Sequence, residues 1–462
     1  MNNRRLMKRL STLWILLLVS LISGSALSAA NKNPDLVFVE NAFIRVGINL
    51  KWGGAITHVS EPGGPNLINS YDLGRQIQQS YYSGPANYQR EGKVKHKHWG
   101  NFPWNPIQTG DSHRIGSRVV EHRVKDGKLY VKTIPMLWPM KDDAAECHME
   151  TWIYLSETGP MFSYKAKLTN ARSDHTQYGA HPQEIPAVYT NGPWHRLITY
   201  TGDKPFSGGA TKEVRNDHKE PWPWIKFLAT EGWTALLNDK GTGIGVCALG
   251  PSEFHAGFNG RRGTGGEKST NTGYMSPMTR EILDYNIEFE YACRFVLGNL
   301  QDIRKEAARI TSKKLPRWNF NKSRHGWHYH NGSDDGWPLA GKGLKLKAKN
   351  PARPLRLLSP ITFWQAKSAR QVAIEISSPI SGSITVYWRG MPPENASEKP
   401  SNWAAWRKDW WNKSRSASTR ISKGNNKWLK INLEKLPSYQ GGITGLAIDV
   451  PDGVTIRQIH IE

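Results

Sequence analysis

Short runs of alternating apolar and polar residues make up most of the chain from Asp35 onward. Glycine, proline, asparagine and aspartate interrupt these runs every few residues, as is typical of strands joined by turns. Clear examples are Leu36–Val39, Phe43–Ile48, Lys128–Ile134 and Met161–Leu168. The pattern predicts many short β-strands, so we expect an all-β protein built from packed sheets.

One segment has a different period. In residues 300–310 the apolar positions recur every three or four residues, which predicts a helix. A basic, proline-containing stretch follows, and then a second set of strand-like runs: Gln371–Ile376, Gly382–Trp388, Trp428–Leu433 and Ile456–Ile461. We therefore predict a large β-sandwich over residues 31–312, a basic linker over 313–340 and a smaller β-sandwich of jelly-roll or immunoglobulin-like type over 341–462.

The first thirty residues have the three-part pattern of a secretory signal peptide. Four basic residues precede the apolar run Leu13–Val19, and small residues then allow cleavage after Ser28 or after Ala30. The apolar run is shorter than the ~20 residues that span a bilayer. We expect residues 1–30 to be removed, the mature protein to be secreted or periplasmic, and no stable membrane span to remain.

The net charge is strongly positive and unevenly distributed. The 462 residues carry a formal charge of +23, of which residues 301–430 contribute about +18 and residues 31–300 only about +3. Such a patch favours a polyanionic partner, and export argues against a nucleic acid. The 20 tryptophans, against 12 phenylalanines, add indole faces that can stack on sugar rings. We therefore expect an anionic polysaccharide as the partner, with adhesion to an anionic surface as the alternative.

The three cysteines, Cys147, Cys247 and Cys293, allow one disulfide at most. Cys247 and Cys293 lie in strand-like runs, where buried thiols are common. We expect buried core cysteines, and a fold that does not depend on a disulfide. We expect no cofactor and no metal site, and the pattern leaves the oligomeric state open.

Several runs resemble the galactose mutarotase-like β-sandwich over about residues 36–312. They are Lys51–Ile56, Asn66–Asn69, Asp72–Tyr82, Trp233–Asp239, Gly241–Val246 and the closing Phe295–Gly298 with its helix. The resemblance implies a large β-supersandwich, and this scaffold serves epimerases, lyases, hydrolases and sugar-binding proteins alike. The C-terminal runs Ser359–Pro360, Val386–Arg389 and Tyr439–Asp449 resemble jelly-roll modules of carbohydrate-active enzymes, which implies a carbohydrate-binding role.

The first candidate site is the polar and aromatic run from Arg75 to Tyr82. Regular strand alternation would place Arg75, Gln79 and Tyr81 on one face and Tyr82 on the other. Arginine can clamp a carboxylate or sulfate, and glutamine can bind hydroxyl groups. A buried structural network is the alternative interpretation of the same residues.

A second candidate is the proline-flanked segment that carries His181 and Glu184. A carboxyl or imidazole held near a sugar oxygen is what general acid–base cleavage of a glycosidic bond requires. Trp194 lies close enough in sequence to stack a sugar beside it. The alternative for the segment with His181 and Glu184 is a surface turn, and the alternative for Trp194 is a packed position in the core.

The loop Trp99–Arg114 is rich in aromatic residues, asparagine and glycine. We expect Trp104 to form the floor of a sugar subsite, and Asn105 and Gln108 to bind hydroxyl groups of the sugar. We expect Asp111 to supply the second carboxylate that hydrolysis requires. A tryptophan packed beneath a long loop is the alternative.

The segment Trp403–Arg415 holds four tryptophans and four basic residues. Trp406 and Trp410 are the candidates for an exposed stacking platform that binds an anionic glycan. Because Trp403, Trp406 and Trp410 recur at helical spacing, a helix packed on the sheet is the alternative.

Together these features predict an exported enzyme that hydrolyses an acidic polysaccharide with carboxylate acid and base groups. A polysaccharide lyase is the alternative mechanism, in which Tyr81, Tyr82 or His181 removes a proton and Arg75, with a glutamine, neutralises the uronate. A non-catalytic periplasmic glycan-binding protein is the alternative of another class.

Overall fold

The computed structural model describes residues 33–215, 223–311, 315–394, 396–397 and 400–462. Within them, residues 37–462 form one compact unit whose regular secondary structure is mainly antiparallel strands. The predicted all-β fold class is confirmed. The predicted signal peptide lies outside the described residues, as does part of the predicted linker, and the proposed domain boundaries stay a prediction.

Two large sheets form the N-terminal sandwich, with ten and nine strands among the residues described. Sheet A contains β1 (Leu36–Glu40), β2 (Arg45–Asn49), β3 (Ala55–Ser60), β4 (Ile77–Ser80), β5 (Pro106–Ile107), β8 (Met136–Leu137), β11 (His181–Asn191), β14 (Trp224–Leu228), β17 (Glu253–Asn259) and β18 (Thr272–Glu281). Sheet B contains β6 (Arg118–Lys125), β7 (Lys128–Ile134), β9 (Cys147–Leu155), β10 (Met161–Asn170), β12 (Arg196–Thr199), β13 (Lys212–Glu213), β15 (Trp233–Leu237), β16 (Thr242–Ala248) and β19 (Glu288–Asn299).

The core of this sandwich lies between sheets A and B. Alternate residues of facing strands, such as Val46 and Ile48 of β2 and Phe162 and Tyr164 of β10, meet there and are fully buried. Most of sheet A is ordered β1-β2-β3-β4-β11-β18-β17-β14, so β4, β11, β18, β17 and β14 are consecutive neighbours. These five strands carry the candidate site on the face turned away from the core.

The predicted helix is present as α1 (Leu300–Ile310) and packs on the outer face of sheet B. Asn299 caps it by accepting a hydrogen bond from the backbone N–H of Asp302. Ile303 approaches Gly245 of β16 so closely that an added Cβ would lie 2.5 Å from its Cγ2 atom. Glycine is therefore needed in β16 where the helix docks.

A second, smaller sandwich follows, and its sheets have five and six strands over the described residues. Sheet C contains β20 (Arg317–Asn319), β23 (Leu344–Lys345), β27 (Gln371–Ser378), β30 (Gly424–Asn432) and β32 (Thr455–Ile461). Sheet D contains β21 (His328–His330), β25 (Leu355–Leu358), β26 (Trp364–Gln365), β28 (Gly382–Gly390), β29 (Ser416–Ile421) and β31 (Gly442–Val450). The short strands β22 (Gly332–Ser333) and β24 (Lys347–Ala348) pair with each other.

Helical segments accompany this sandwich. They are α2 (Pro400–Arg407) and the 3₁₀ turns Ala366–Ser368, Lys408–Trp411 and Lys413–Arg415; a further 3₁₀ turn, Leu50–Trp52, lies in the first sandwich. The α2 segment contacts sheet A, because the indole N–H of Trp403 donates to Glu253 at 3.1 Å. No helix in the described ranges is both long and apolar enough to cross a bilayer.

Candidate functional site

An open cleft of about 420 Å³ lies on the outer face of sheet A. Strand alternation explains which residues line it. On β14, Ile225 and Phe227 point into the sandwich core, so Trp224 and Lys226 point into the cleft. On β17, His255 lies between core-facing neighbours and also lines the cleft.

Glu184 lies in the floor of the cleft, on β11, paired with Ser80 of β4 and with Met278 of β18. The hydroxyl of Tyr82 donates to its Oε2 atom at 3.1 Å, and the hydroxyl of Tyr274 donates to Oε1. Both oxygens of the carboxyl group are therefore held by phenols. This fixes the orientation of the carboxyl group relative to the cleft.

Three tyrosines around Glu184 are kept protonated by their surroundings. Burial raises the pKa of Tyr82 and Tyr274 well above the ordinary value, and the charge of Glu184 raises it further. Burial followed by the charges of Glu184 and Asp72 has the same effect on the pKa of Tyr189. These phenols are therefore hydrogen-bond donors at neutral pH, and none of them is poised to act as a tyrosinate base.

An irregularity in β11 decides which of its residues face the cleft. The register against both neighbouring strands shifts between Glu184 and Val188, as in a β-bulge. In a regular strand Glu184 and Tyr189 would lie on opposite faces, because they are five residues apart. Because of the irregularity, Glu184 and Tyr189 both face the cleft, while Val188 points into the core.

Aromatic rings form the walls. Trp99 packs against Phe102 and Trp138, with ring centroids 5.2 and 6.0 Å away, on one side of the cleft. On another side Trp224 packs against Tyr274 at 4.9 Å. Indole and phenyl faces offer stacking surfaces for the apolar face of a sugar ring.

Asp72 and Arg75 both line the cleft and form an ion pair, and the Arg75 guanidinium has further partners. The Arg75 Nε atom lies 3.5 Å from Asp72, and Nη1 donates to the side chain of Asn69 and the carbonyl oxygens of Ser269 and Thr270, each at 3.2 Å. Much of this guanidinium is thus committed to holding two loops together. Among the described lining residues, the acids are Asp72 and Glu184.

The structure brings four of the residues predicted from sequence to the cleft, namely Glu184, Arg75, Tyr82 and Asn105. It does not bring the others into the lining: His181, Asp111, Tyr81, Gln79, Trp104, Gln108, Trp194, Trp406 and Trp410. The two separate candidates, the Arg75–Tyr82 run and the segment with Glu184, thus each contribute to one cleft, and the long loop contributes Asn105 and the wall residues Trp99 and Phe102.

The face assignment of the Arg75 run was wrong. Gln76 has a positive φ of 78°, which breaks the alternation that would put Arg75 on the same face as Gln79 and Tyr81. Both of those residues are fully buried, and the Tyr81 hydroxyl donates to Gln79 at 2.7 Å. They form the buried network that was the alternative interpretation.

Asp111 braces a loop instead of reaching the cleft. Its Oδ1 atom accepts hydrogen bonds from the backbone N–H groups of His113 and Ile115, and Oδ2 accepts one from Asp142. The residue is almost fully buried, so it is not placed to be the second carboxylate of a hydrolase. Asp72 is the acid that the structure puts near Glu184 instead.

The remaining predicted residues of the first sandwich are also structural. Trp104 is buried, with the Arg172 guanidinium 5.2 Å from its ring centroid. Asn105 reaches the cleft but donates to the Tyr81 carbonyl, and Gln108 donates to the carbonyl of Gly53. His181 lies beside the cleft residue Pro182 without lining it, and Trp194 belongs to the sandwich core.

Trp406 and Trp410 do not form an exposed platform. They are 6% and 5% exposed, and the buried Arg389 guanidinium lies 4.2 and 3.8 Å from their ring centroids. They belong instead to a helical segment packed on the sheet, which was the alternative prediction for this run. Trp411, which is 47% exposed, is the tryptophan of this run that reaches solvent.

Sequence reasoning missed Tyr274, Lys226, His255, Asp72 and the aromatic walls as site residues. The alternation Trp224-Ile225-Lys226 was the one local pattern that could have indicated these residues. It places two large side chains that carry N–H groups on the same face of a strand. Nothing near Tyr274 marks it as a partner of a glutamate 90 positions earlier in the chain.

No family model matches the chain, and no curated protein matches it. Solved structures do. A galactose mutarotase related enzyme from Lactobacillus acidophilus is 10% identical, with a TM-score of 0.36, over 57% of this chain and 97% of that one. A galactose mutarotase-like protein from Clostridium acetobutylicum is 10% identical, with a TM-score of 0.34, over 58% and 100%.

A GH36 α-galactosidase from Geobacillus stearothermophilus, solved with stachyose, is 10% identical, with a TM-score of 0.33, over 57% of this chain and 40% of that one. At these identities the similarity concerns the fold alone. These structural neighbours include galactose mutarotase-like proteins, and the sequence resembles the same fold.

Proposed function

We propose that the protein hydrolyses a glycosidic bond of a polysaccharide bound in the cleft of sheet A, with Glu184 as the proton-transferring carboxyl group. One observation carries this proposal: Tyr82 and Tyr274 hold both oxygens of Glu184 in the floor of an open cleft with aromatic walls. A fixed carboxyl group beside sugar-stacking surfaces is the arrangement that acid–base cleavage of a glycosidic bond requires.

Hydrolysis with acid and base groups uses a pair of carboxyl groups. Asp72 supplies the second one in this proposal, because it lines the same cleft and its charge, like that of Glu184, acts on Tyr189. Elimination is less well supported, since the pKa of Tyr82 is raised and Tyr81 is buried away from the cleft.

The substrate and location complete the proposal. The positive charge concentrated in residues 301–430 favours an anionic polysaccharide, sulfated or containing uronates. The signal-peptide pattern of residues 1–30 supports a reaction outside the cytoplasm as part of this proposal. An open cleft suits an extended polymer better than an enclosed pocket would.

The test is a panel of sulfated and uronate polysaccharides incubated with the protein and with Glu184→Gln. We expect new reducing ends without the ultraviolet band of unsaturated uronates, and a 10²–10⁴-fold loss of turnover in the variant with binding retained. Glu290→Gln, on an exposed side chain of sheet B, is the matched control and should keep full turnover.

Each other result has a definite meaning. Unchanged turnover in Glu184→Gln would remove Glu184 from the chemistry. Products that carry the ultraviolet band would replace hydrolysis by elimination. Retention of a polysaccharide in gel retardation with no product from any member of the panel would leave a glycan-binding protein and refute the enzyme.

A further inference from the structure

One end of the cleft has more positive than negative charge. Lys226 of β14 lines this end beside His255 of β17, with which it is paired. Within the described ranges its Nζ atom makes no hydrogen bond or ion pair. A half-buried ammonium group without a direct partner is costly unless some other group compensates it.

Glu253, the acid whose charge acts on Lys226 among the described residues, is already shared with another cation. Glu253 is buried, accepts a hydrogen bond from Trp403, and lies 3.7 Å from the guanidinium of Arg407. Burial by itself would raise the pKa of Glu253, but Arg407 and then Lys226 lower it below the ordinary value. One carboxylate therefore serves two cations.

Arg280 of β18 adds a third cation. Burial, and then the positive charge of Arg407, lowers its pKa to about 10. Burial lowers the pKa of His255 to about 4, so this imidazole is neutral and adds no further positive charge. Among the residues that the structure describes, the charges that act on one another here are thus those of Lys226, Arg280 and Arg407 and the carboxylate of Glu253.

We infer that the Lys226 end of the cleft binds an anionic group of the saccharide, either a carboxylate or a sulfate ester. An incoming anion would supply the charge that this cluster lacks. The inference rests on the proposed function for the identity of the ligand as a saccharide. It places the acidic group inside the cleft, whereas the overall charge pointed only to the C-terminal part of the chain.

The position of the subsite follows from sheet order. Lys226 and Glu184 are separated by three strand spacings, from β14 through β17 and β18 to β11. Leu228 lies in line with Glu184, so Lys226 is also two residues along its strand; at about 4.8 Å per spacing and about 3.3 Å per residue, their backbones are roughly 16 Å apart. The anionic group would therefore belong to a part of the saccharide away from the bond cleaved at Glu184, which makes Lys226 a specificity residue.

Binding of simple probes by the full chain tests this inference without any need for turnover. Sodium sulfate, sodium glucuronate and uncharged glucose are titrated at constant ionic strength, with intrinsic tryptophan fluorescence as the signal because Trp224 lines the same end. We expect saturable binding of at least one anion, tighter than that of glucose. Lys226→Met should weaken it at least tenfold, and Lys226→Arg should stay within about threefold of the unaltered protein.

Lys240→Met is the matched control, because it removes an equal charge from an exposed turn of sheet B. It should leave binding unchanged, and the thermal midpoint of each variant checks folding. No saturable binding of either anion, or binding by a folded Lys226→Met equal to that of the control, would overturn the inference. If Lys226→Met fails to fold, Lys226→Arg with binding weakened tenfold would also contradict a simple charge contact.

The outcomes separate this inference from the hydrolase proposal. Glu184→Gln should bind the anion as the unaltered protein does, even if no polysaccharide is ever cleaved. Binding of sulfate alone would indicate a sulfated ligand, and binding of glucuronate alone a uronate; both results support an anion subsite.

Discussion

A buried cluster of charges joins the two sandwiches at Arg324. Its guanidinium donates to both oxygens of Asp334, at 2.6 and 2.8 Å, and to Asp284 in the connection between β18 and β19. The three side chains are 1–2% exposed. Arg324→Met would keep most of the apolar volume and leave two carboxylates buried together without a cation.

The magnitude follows from these contacts. Removing one partner of a buried ion pair costs about 3–5 kcal/mol, because an uncompensated charge remains. Burial by itself would raise the pKa of Asp334, but Arg324 lowers it from 3.8 to about 2. At 1.36 kcal/mol per pKa unit, this shift alone corresponds to about 2 kcal/mol of the free energy of unfolding. We therefore expect Arg324→Met to lose about 3–5 kcal/mol at pH 7.

The pH dependence has a definite sign. Because the pKa of Asp334 is lower in the folded than in the unfolded chain, its contribution is present above about pH 4 and is lost as the pH falls toward 2. The difference between the unaltered protein and Arg324→Met should shrink over the same interval. Guanidinium unfolding followed by tryptophan fluorescence, at pH 7 and near pH 3, measures both quantities.

Two further variants make the reasoning refutable. Lys165→Met breaks an exposed pair with Glu290 and should cost less than about 1 kcal/mol. Combining Arg324→Met with Asp284→Asn and Asp334→Asn should recover part of the loss, because no buried charge is then left unpaired. A loss for Arg324→Met no larger than that of the exposed control, or no recovery in the triple variant, would refute the argument.

Two other predictions concern buried ionisable groups. Burial raises the pKa of Glu281 from 4.5 to about 7, so its contribution to stability is present below about pH 4.5 and is lost as the pH rises through 7. The variant Glu281→Gln should therefore flatten the decline in unfolding free energy between pH 5 and 8. An unchanged slope would contradict this. The three cysteines are buried and unpaired, so the native protein should resist a thiol reagent and keep its thermal midpoint in reductant; rapid labelling of the native protein would show that these thiols are accessible.

Local patterns predicted several of the elements. The runs Lys128–Ile134 and Leu300–Ile310 were predicted as a strand and a helix with the bounds that the structure has. Periods of two and of about 3.6 residues reflect which side chains must be buried, and that requirement acts within a few residues. The all-β class follows from the same local constraint.

The membership of the cleft could be predicted only in part. Glu184 and Tyr82 were identified because carboxyl, phenol and proline chemistry is visible in the sequence. Arg75 was placed on the wrong face, because one residue with positive φ reverses the alternation. Asp111 was assigned to catalysis, although its oxygens are used by backbone N–H groups of its own loop and of a neighbouring loop. A loop carboxylate looks the same in sequence whether it faces a ligand or a backbone amide.

The sequence by itself determined that this chain folds as packed β-sheets with one well-defined helix, because burial of alternate residues is a local condition. Only the tertiary structure decided that Tyr274 meets Glu184, that Lys226 lines the same cleft as Glu184, and that Trp406 and Trp410 are buried against Arg389. The physical reason is distance along the chain. Contacts between residues tens of positions apart depend on sheet order, on a register shift in one strand and on how two sandwiches pack, and no local period encodes these.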